Sequence, residues 1–541
     1  MAMTELLTAA QMRAIEAAAI ASGEVTGLEL MERAGQGVVE AIFAEWPELA
    51  AGSFRAVVLC GPGGNGGDGF VVARLLKEWG WETTVHLRDA GKEARSDAAT
   101  TRAAYEAIGG ITMPMPDPLD PAQARSILGL TDANLDGSIL LVDAMFGTGL
   151  TRSIDRADGS LCALLYDMGD LIARIGIKLR IVAVDIPSGL CADSGRVLTV
   201  EGRDDDDPVI HADLTVTFHG MKVGHMLAEG PYRSGSLLVV DLGLDPHGSD
   251  GACRLVGRPA AWRLAKHNGH KFAHGHAFIL SGPAGDGGAA RLAARGALRI
   301  GAGLVTLGCP EAALAENAAR LDAVMLKVVD GAEDLAAVLG DARINALCLG
   351  PGLGVERAEE MLGVALRVVR EDHAPCTVLD ADALTALSRD PALFALLHKN
   401  CVLTPHGGEF ARLFPDIAAK LKAPATRGPA YSKVDAAREA AKRAGCVVLF
   451  KGADTVIAGP EGRCAINSAA YERAAPWLAT AGSGDVLAGF ITGLLARGFA
   501  PSEAACTGAW LHVECARSFG PGLIAEDLAE ELPKVFRALG V

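Results

Sequence analysis

Apolar positions recur along this chain at two spacings, and the changes between them mark out its elements. Near the start the spacing is helical. Met12, Ile15 and Ala19 share a face behind a Thr8–Gln11 capping-box pattern, and Leu28 to Trp46 repeats the same period. From Arg55 a β-α-β rhythm begins: RAVVLC reads as a strand, GPGGNGGDG as a glycine-rich loop, FVVARLLKEWG as a helix and WETTVHL as a second strand. SILLVDA and LRIVAVDIPSG follow as buried strands running into Asp143 and Asp185, and ADLTVTF and GSLLVVDLG close the first half. Between Gly243 and Ala261 the rhythm lapses, then restarts with HAFILSG, GLVTLG, NALCLGPGLG, CTVLDADAL, CVLTPHGGEF and GCVVLFKGADTVIAG. In the helix GDVLAGFITGLLARG, residues Val486, Leu487, Phe490, Ile491, Leu494 and Leu495 form one apolar stripe.

Strands alternating with helices imply parallel sheets covered on both faces, so the expected class is α/β with two three-layer αβα domains. The boundaries read as residues 1–245, a linker at 246–262, and 263–541. No short internal repeat is visible.

Composition narrows the chemistry. Half of the 541 residues are hydrophobic and 21% are charged, which permits large cores and excludes global disorder. A formal charge of −16 argues against nucleic acid as a partner, although a phosphorylated small molecule needs only a local cradle of N–H groups. The 12 cysteines are scattered without a CxxC pair; Cys60, Cys348 and Cys446 lie in apolar runs and read as buried thiols in a reducing compartment. The N-terminal residues lack a signal-peptide pattern and no apolar run is long enough to span a bilayer, so a cytoplasmic location without membrane is expected. Asp204 to Asp207 read as a solvated loop rather than a metal site.

Gly61-x-Gly63-x-x-Gly66 stands between a strand and a helix, where glycine lets backbone approach a pyrophosphate. A tight turn explains these glycines nearly as well, but Asn65 and Asp68 pack no core. Asp143 and Asp185 stand at strand ends, the side on which such sheets bind ligands, with Ser188 close by. Asn, Asp and Ser oxygens suit a hard cation.

In the second half, Gly482, Gly484 and Asp485 open a helix, a position for anionic phosphate oxygens and a base. The Lys-Ser/Thr ending of a P-loop is absent. Lys451 follows a strand and reads as a phosphate contact or an exposed side chain. His406 and Glu409 follow another, and Asp380 and Asp382 suit a metal or a helix cap.

GPGGNGGDG, DAMFGTGL, DIPSG and ADLTVTF…HGMKVG together resemble the NAD(P)H-hydrate epimerase domain, which is Rossmann-like; QMRAIE and LMERAG fit as well. The resemblance spans residues 1–245. It implies K+ held by Asn65, Asp143 and Ser188. It also implies hydrate contacts from Gly64, Asn65, Gly66, Gly67 and Asp68, from Gly147, Thr148, Gly149, Leu150, Thr151, Arg152 and Ser153, and from Asp185. The family loop usually carries two Asn; here the first is Gly64. Expelling and re-adding the hydroxyl beside the nicotinamide nitrogen calls for an acid–base carboxyl, expected to be Asp143 or Asp185.

GPAGDGGAARLAARGALRIGAGLVTL, GPGLG, LDADAL, TPHGGEFARL, KGADT and AGSGDVLAG, in that order, are similar to the ADP- or ATP-dependent NAD(P)H-hydrate dehydratases, which are ribokinase-like. The similarity runs from about His267 to the C-terminus. It implies hydrate contacts at Ala289, Gly352 or Gly354, His406 and Asp485, with Asp485 catalytic. Adenine-nucleotide contacts are implied at Lys451, Gly452, Ala453, Asp454, Thr455 and Gly484, with ADP or ATP as co-substrate and Mg2+ accompanying it.

The reading is a bifunctional metabolite-repair enzyme, isomerase and lyase, with hydrated NADH or NADPH and adenine nucleotide as partners and several copies assembled. The histidines of KHNGHKFAHGHAF read as exposed, with adventitious zinc an option. One rival is a ribokinase-like small-molecule kinase fused to a non-catalytic nucleotide-binding module. Another is a dehydrogenase using Asp89 for ribose.

Overall fold

The computed structural model describes residues 3–88, 96–115, 127–128, 138–154, 178–199, 209–245, 251–368 and 374–541. The chain divides into two compact units. The front unit comprises Glu5–Asp250 and Ala423–Ser432; the back unit comprises Met1–Thr4, Gly251–Lys422 and Lys433–Val541. Asp89 and the run Asp204 to Asp207 lie outside the described residues.

The front sheet has seven strands in the order Ile111–Pro114, Glu82–Leu87, Arg55–Cys60, Ser138–Ala144, Lys178–Val184, Leu214–Phe218 and Ser236–Val240. Every neighbouring pair is parallel. The strand order reverses between Arg55–Cys60 and Ser138–Ala144, which makes the carboxyl ends of these two strands the topological switch point. Alternation assigns the faces. Ala56, Val58 and Cys60 join a core with Met12, Ile15, Val38, Ile42 and Phe70, while Val57 and Leu59 pack with Met115, Leu128 and Ile210 on the other side. Burial on both faces is why the strands read as unbroken apolar runs.

Thr8 caps helix Ala9–Ser22 as its sequence indicates: Gln11 N donates to Thr8 Oγ1 (3.2 Å) and Thr8 N to Gln11 Oε1 (2.8 Å). The glycine-rich stretch differs from expectation. Helix Gly64–Glu78 begins inside it, so Asn65 and Asp68 lie on the first helical turns and not in a loop. Close approach explains the glycines: a Cβ on Gly61 would sit 1.8 Å from Met145 O, and one on Gly66 would sit 1.9 Å from Gly61 O.

The back sheet has eleven strands, ordered Met3–Leu6, Cys253–Val256, Cys464–Ser468, Asp454–Ala458, Val447–Phe450, Cys401–Leu403, Cys376–Leu379, Ile344–Leu349, His276–Leu280, Leu304–Cys309 and Met325–Val328. It is mixed where a parallel sheet was expected. Val447–Phe450, Asp454–Ala458 and Cys464–Ser468 are successively antiparallel. The turn at Lys451 to Ala453 is far too short for the dozen or so residues a parallel crossover needs. Cys253–Val256, read as linker, is a strand parallel to Cys464–Ser468.

Helix Ser483–Ala496 is buried on every side from Val486 to Ala496, wider than the single stripe expected. It lies so close to helix Gly288–Arg299 that a Cβ on Gly489 would sit 2.1 Å from Ala293 O. His276 is also buried, contrary to its expected exposure, with Nε2 2.8 Å from Thr306 Oγ1. Among the described residues there is no cluster of three or more metal-ligating His, Cys, Asp or Glu, and no helix is long and apolar enough to cross a membrane.

Replacing Gly66 by Ala is expected to destabilise the front unit by about 1–3 kcal/mol, because the methyl group meets backbone rather than a yielding side chain. Urea unfolding followed by tryptophan fluorescence measures this; an unchanged midpoint would contradict the close-packing argument.

Candidate active sites

At the front switch point is a cavity of about 490 Å³, lined by Gly63, Gly64, Asn65 and Asp68, by Met145 to Arg152, by Asp185, and by Arg13 and Glu16 of the first helix. Ser153 follows the lining residues directly. Gly66 and Gly67 turn into the fold; a Cβ on Gly67 would sit 2.4 Å from Met31 Sδ. At Gly64 a Cβ would meet nothing within 4 Å, so the space that an Asn would occupy is open.

Asp185 adopts a left-handed backbone (φ 67°), a conformation a non-glycine residue keeps only when its surroundings hold it. Three side chains hold it. Lys222 Nζ donates to Asp185 Oδ1 (3.0 Å), Thr217 Oγ1 donates to the same oxygen (2.9 Å), and His225 Nε2 donates to the Asp185 carbonyl (2.9 Å). His225 Nδ1 accepts from Lys222 N (3.0 Å), which fixes the neutral tautomer, and burial with the nearby Lys222 charge pushes its pKa down to about 4. Lys222 is wholly buried, and Thr217 Oγ1, Phe218 O and Gly220 O accept its remaining bonds at 2.8–3.1 Å.

The carboxyls of this cavity are pulled in opposite directions. Burial raises Asp185, but the Lys222 charge and its hydrogen bond more than offset this, leaving the group below the ordinary aspartate value. Asp68 is raised well above that value, first by withdrawal from water and then by the charges of Asp185 and Glu16. Glu16 is raised too, by burial and by Asp185.

Asp143 and Ser188 lie behind the cavity wall and not on it. Ser188 Oγ donates to Asp143 Oδ1 (2.6 Å) and Ser188 N to Asp143 Oδ2 (2.8 Å). Phe146 N donates to Ser188 Oγ (2.9 Å) and Thr148 N to Asp185 Oδ2 (3.3 Å), so both groups anchor the Gly147 loop. Burial pushes Asp143 up to about 6 against these bonds, and among the described residues it has no cationic partner. Asn65 Nδ2 is buried without a hydrogen-bond partner among the described residues.

The back unit also carries its site at a reversal of strand order, between His276–Leu280 and Ile344–Leu349. There a Cβ on Gly282 would sit 1.8 Å from Gly352 O. Gly352 stands beside Ala289, where a Cβ on Gly352 would sit 3.3 Å from that of Ala289, while Gly354 N donates to Asp382 Oδ2 (2.9 Å). Lys451 Nζ donates to Asp380 Oδ1 (2.7 Å) and lies 3.8 Å from Glu409 Oε2. Burial lowers the Lys451 pKa, but these carboxylates outweigh it and keep the ammonium charged. The start of helix Ser483–Ala496 adjoins this pair: a Cβ on Gly484 would sit 3.4 Å from Lys451 Nζ. Asp485 is pushed up to about 6 by burial and then by the charge of Asp380.

His406 caps helix Gly407–Leu413 and is largely exposed. Its Nδ1 accepts from Gly408 N (2.9 Å), and its own N donates to Glu409 Oε2 (2.8 Å). The KGADT turn is tied internally, with Thr455 Oγ1 donating to Gly452 O (2.7 Å) and Asp454 paired with Lys433 (2.5 Å). Ala453 is exposed there. The fold therefore gathers His406, Lys451, Gly484 and Asp485 around Asp380 and Glu409, with Ala289 and Gly352 together.

Sequence reasoning missed Lys222, His225, Thr217 and Glu16. A lysine between Met221 and Val223, four residues past a buried strand, was a usable signal for the first. Nothing local marked the others.

Two α/β units, each with carboxyls gathered past the carboxyl ends of its strands and a lysine paired with one of them, define an enzyme with one candidate small-molecule site in each unit. Two family models match: "YjeF-related protein N-terminus" over residues 27–224 and "NAD(P)H-hydrate dehydratase" over 277–534. The bifunctional NAD(P)H-hydrate repair enzyme of Moorella thermoacetica is 35% identical, covering 99% of this chain and 97% of its own. That of Escherichia coli is 32% identical over 95% of this chain and 91% of its own. A crystal structure of the ADP/ATP-dependent NAD(P)H-hydrate dehydratase of Bacillus subtilis, co-crystallised with ATP/Mg2+, is 28% identical over 51% of this chain and 93% of its own, with a TM-score of 0.40. The chain belongs to the bifunctional NAD(P)H-hydrate repair enzyme family.

Lys222→Met strands a buried carboxylate and is expected to destabilise the front unit by about 3–5 kcal/mol at pH 8. The depressed Asp185 contributes stability above its unfolded pKa, which is lost as pH falls through the lower folded value. In the variant Asp185 protonates readily, so the deficit should shrink at pH 5, and Asp185→Asn added to Lys222→Met should recover stability. Equal deficits at both pH values would refute the pairing.

Proposed function

We propose that the chain repairs hydrated NADH and NADPH. The front unit interconverts the R and S hydrates, and the back unit dehydrates the S form using ADP or ATP. What supports this best is the front cavity, where two carboxyls favour opposite protonation states, the arrangement that acid–base chemistry at neutral pH requires.

In the front unit Asp68 protonates the hydroxyl on the carbon beside the nicotinamide nitrogen. The carbon–oxygen bond breaks, water leaves, and the nitrogen lone pair forms the carbon–nitrogen double bond of an iminium. Asp185, held ionised by Lys222, balances the new charge. Water adds to either face and its proton returns to Asp68. Asp185 lines the cavity and Asp143 does not, which favours Asp185 of the two carboxyls the sequence offered and adds Asp68 as the acid.

Asp143, Ser188 and Asn65 fit a potassium ion: a buried carboxyl with no cationic partner among the described residues, a hydroxyl 2.6 Å from it, and an amide whose buried nitrogen has no hydrogen-bond partner among them and whose two ends are interchangeable by rotation. When bound, the ion would supply positive charge beneath the Gly147 loop. Replacing K+ by tetramethylammonium is expected to lower both the melting temperature and the epimerisation rate; indifference of both would remove the ion from the reading.

In the back unit Asp485 takes the proton of the substrate hydroxyl as its oxygen bonds to the terminal phosphorus of the nucleotide, whose P–O bond to the remaining nucleotide breaks and releases AMP from ADP or ADP from ATP. The phosphorylated oxygen then departs as phosphate, expelled by the ring-nitrogen lone pair, and loss of a proton from the adjacent ring carbon restores the double bond of the nicotinamide ring. Lys451, Gly452 to Thr455 and the Gly484 amide hold the nucleotide, with Mg2+ on its phosphates, and Ala289, Gly352 and His406 border the hydrate. An aspartate raised to about 6 is ionised above that pH, so dehydration should fall about tenfold per unit below pH 6. Asp485→Asn should abolish dehydration while nucleotide still binds in calorimetry; full activity would refute the role.

The deciding experiment is recovery of reduced-nicotinamide absorbance from mixed-epimer hydrated NADPH with ADP, with ATP and with neither. Complete, nucleotide-dependent recovery is expected. A stall at one epimer's share would strip the front unit of catalysis, and no recovery would favour a small-molecule kinase.

A further inference from the structure

The front unit is not continuous in sequence. Residues Ala423–Ser432, which lie between helices Pro415–Lys422 and Lys433–Ala444, belong to it. Their backbone is fastened to the loop that walls the cavity. Gly428 N donates to Thr151 O (3.0 Å), Thr199 N donates to Ala425 O (2.9 Å), and Ala430 N donates to Cys191 Sγ (3.3 Å). Ala425 and Ala430 are buried against Cys191 and Leu198, with Leu150 packed on them. The fit is close: a Cβ on Gly428 would sit 2.9 Å from Leu150 O.

This fastening sets Arg427 opposite Arg152 in an antiparallel bridge. Residues so paired have Cα atoms about 4.5–5.5 Å apart and send their side chains out on the same face. Arg152 lines the cavity and Arg427 is exposed beside it. Two arginines opposite each other on one face concentrate positive charge there, and a planar fork of N–H donors suits phosphate oxygens. Elsewhere the wall carries three carboxyls, Glu16, Asp68 and Asp185, beside a single cation, Arg13, so the corner with two arginines is where an anionic part of a ligand is favoured.

We propose that Arg427 is a substrate contact of the front site, binding a phosphate of the hydrated dinucleotide together with Arg152. This rests on the epimerase reading of the front unit. The phosphate is either the pyrophosphate common to both hydrates or the ribose phosphate peculiar to hydrated NADPH.

The test uses the full chain without adenine nucleotide, following conversion of pure R hydrate to S by chromatography. In Arg427→Ala, KM should rise roughly three- to tenfold with kcat within about twofold, as for loss of one partly exposed charge-assisted contact. Arg427→Lys should recover part of the loss, and added salt should raise KM less steeply in the alanine variant than in the parent. A rise for both hydrates identifies the pyrophosphate, and a rise for hydrated NADPH alone identifies the ribose phosphate. An unchanged KM in Arg427→Ala, with the parent epimerising normally, would overturn the proposal alone. A parent that does not epimerise would overturn the front-unit reading and this contact with it.

Discussion

A buried ammonium beside a strand-end carboxylate is the interaction on which both sites depend. Lys222 has no exposure, and Asp185 carries a backbone conformation it would not keep alone. Removing the lysine from water is costly, and only a full set of partners makes it tolerable: one carboxylate, one hydroxyl and two carbonyls. The same plan recurs in the back unit, where Lys451 meets Asp380 at 2.7 Å. In front the Lys222 pair holds Asp185 below its ordinary value, and in each unit the charge of the lysine's partner adds to the raising of a neighbouring acid, Asp185 on Asp68 and Asp380 on Asp485. Burial does most of the raising.

The sheets explain why these groups meet. Parallel strands end together, so residues just past the carboxyl ends of adjacent strands converge even when far apart in sequence. Asp143, Asp185 and the Gly61–Gly66 turn converge in this way, as do Gly282 and Gly352. Glycine at the contact points lets two backbones approach without side chains between them, which leaves room for a ligand just above.

Much of this was legible in the sequence because it is local. Unbroken apolar runs marked Arg55–Cys60, Ser138–Ala144 and Lys178–Val184, and Asp143 and Asp185 at the ends of the last two pointed to the binding edge. The capping box at Thr8 needs only four residues to recognise. What could not be read depends on contacts across the fold. GNGGDG looked like a loop because glycine disfavours helix, yet backbone approach at Gly66 requires it there. Lys222 looked like any lysine until the fold enclosed it. His276 seemed to belong with exposed neighbours, and only strand pairing buried it. Cys253–Val256 carries an exposed Arg254 in the middle of a glycine-rich stretch and gains its place from Cys464–Ser468.

The discontinuity of the front unit bears on how the chain is made. Leu198 and Cys191 are covered by Ala425 and Ala430, residues that a ribosome reaches long after it has finished Asp250. At roughly 5–20 residues per second, the interval from 250 to 432, about 182 residues, lasts roughly ten to forty seconds. Throughout that interval the nascent front unit has its sheet but not its last cover, and an apolar patch with a thiol faces solvent. Vectorial synthesis thus imposes an order on this protein: the half translated first is completed only once most of the other half has been made, and that waiting surface is one a chaperone would find.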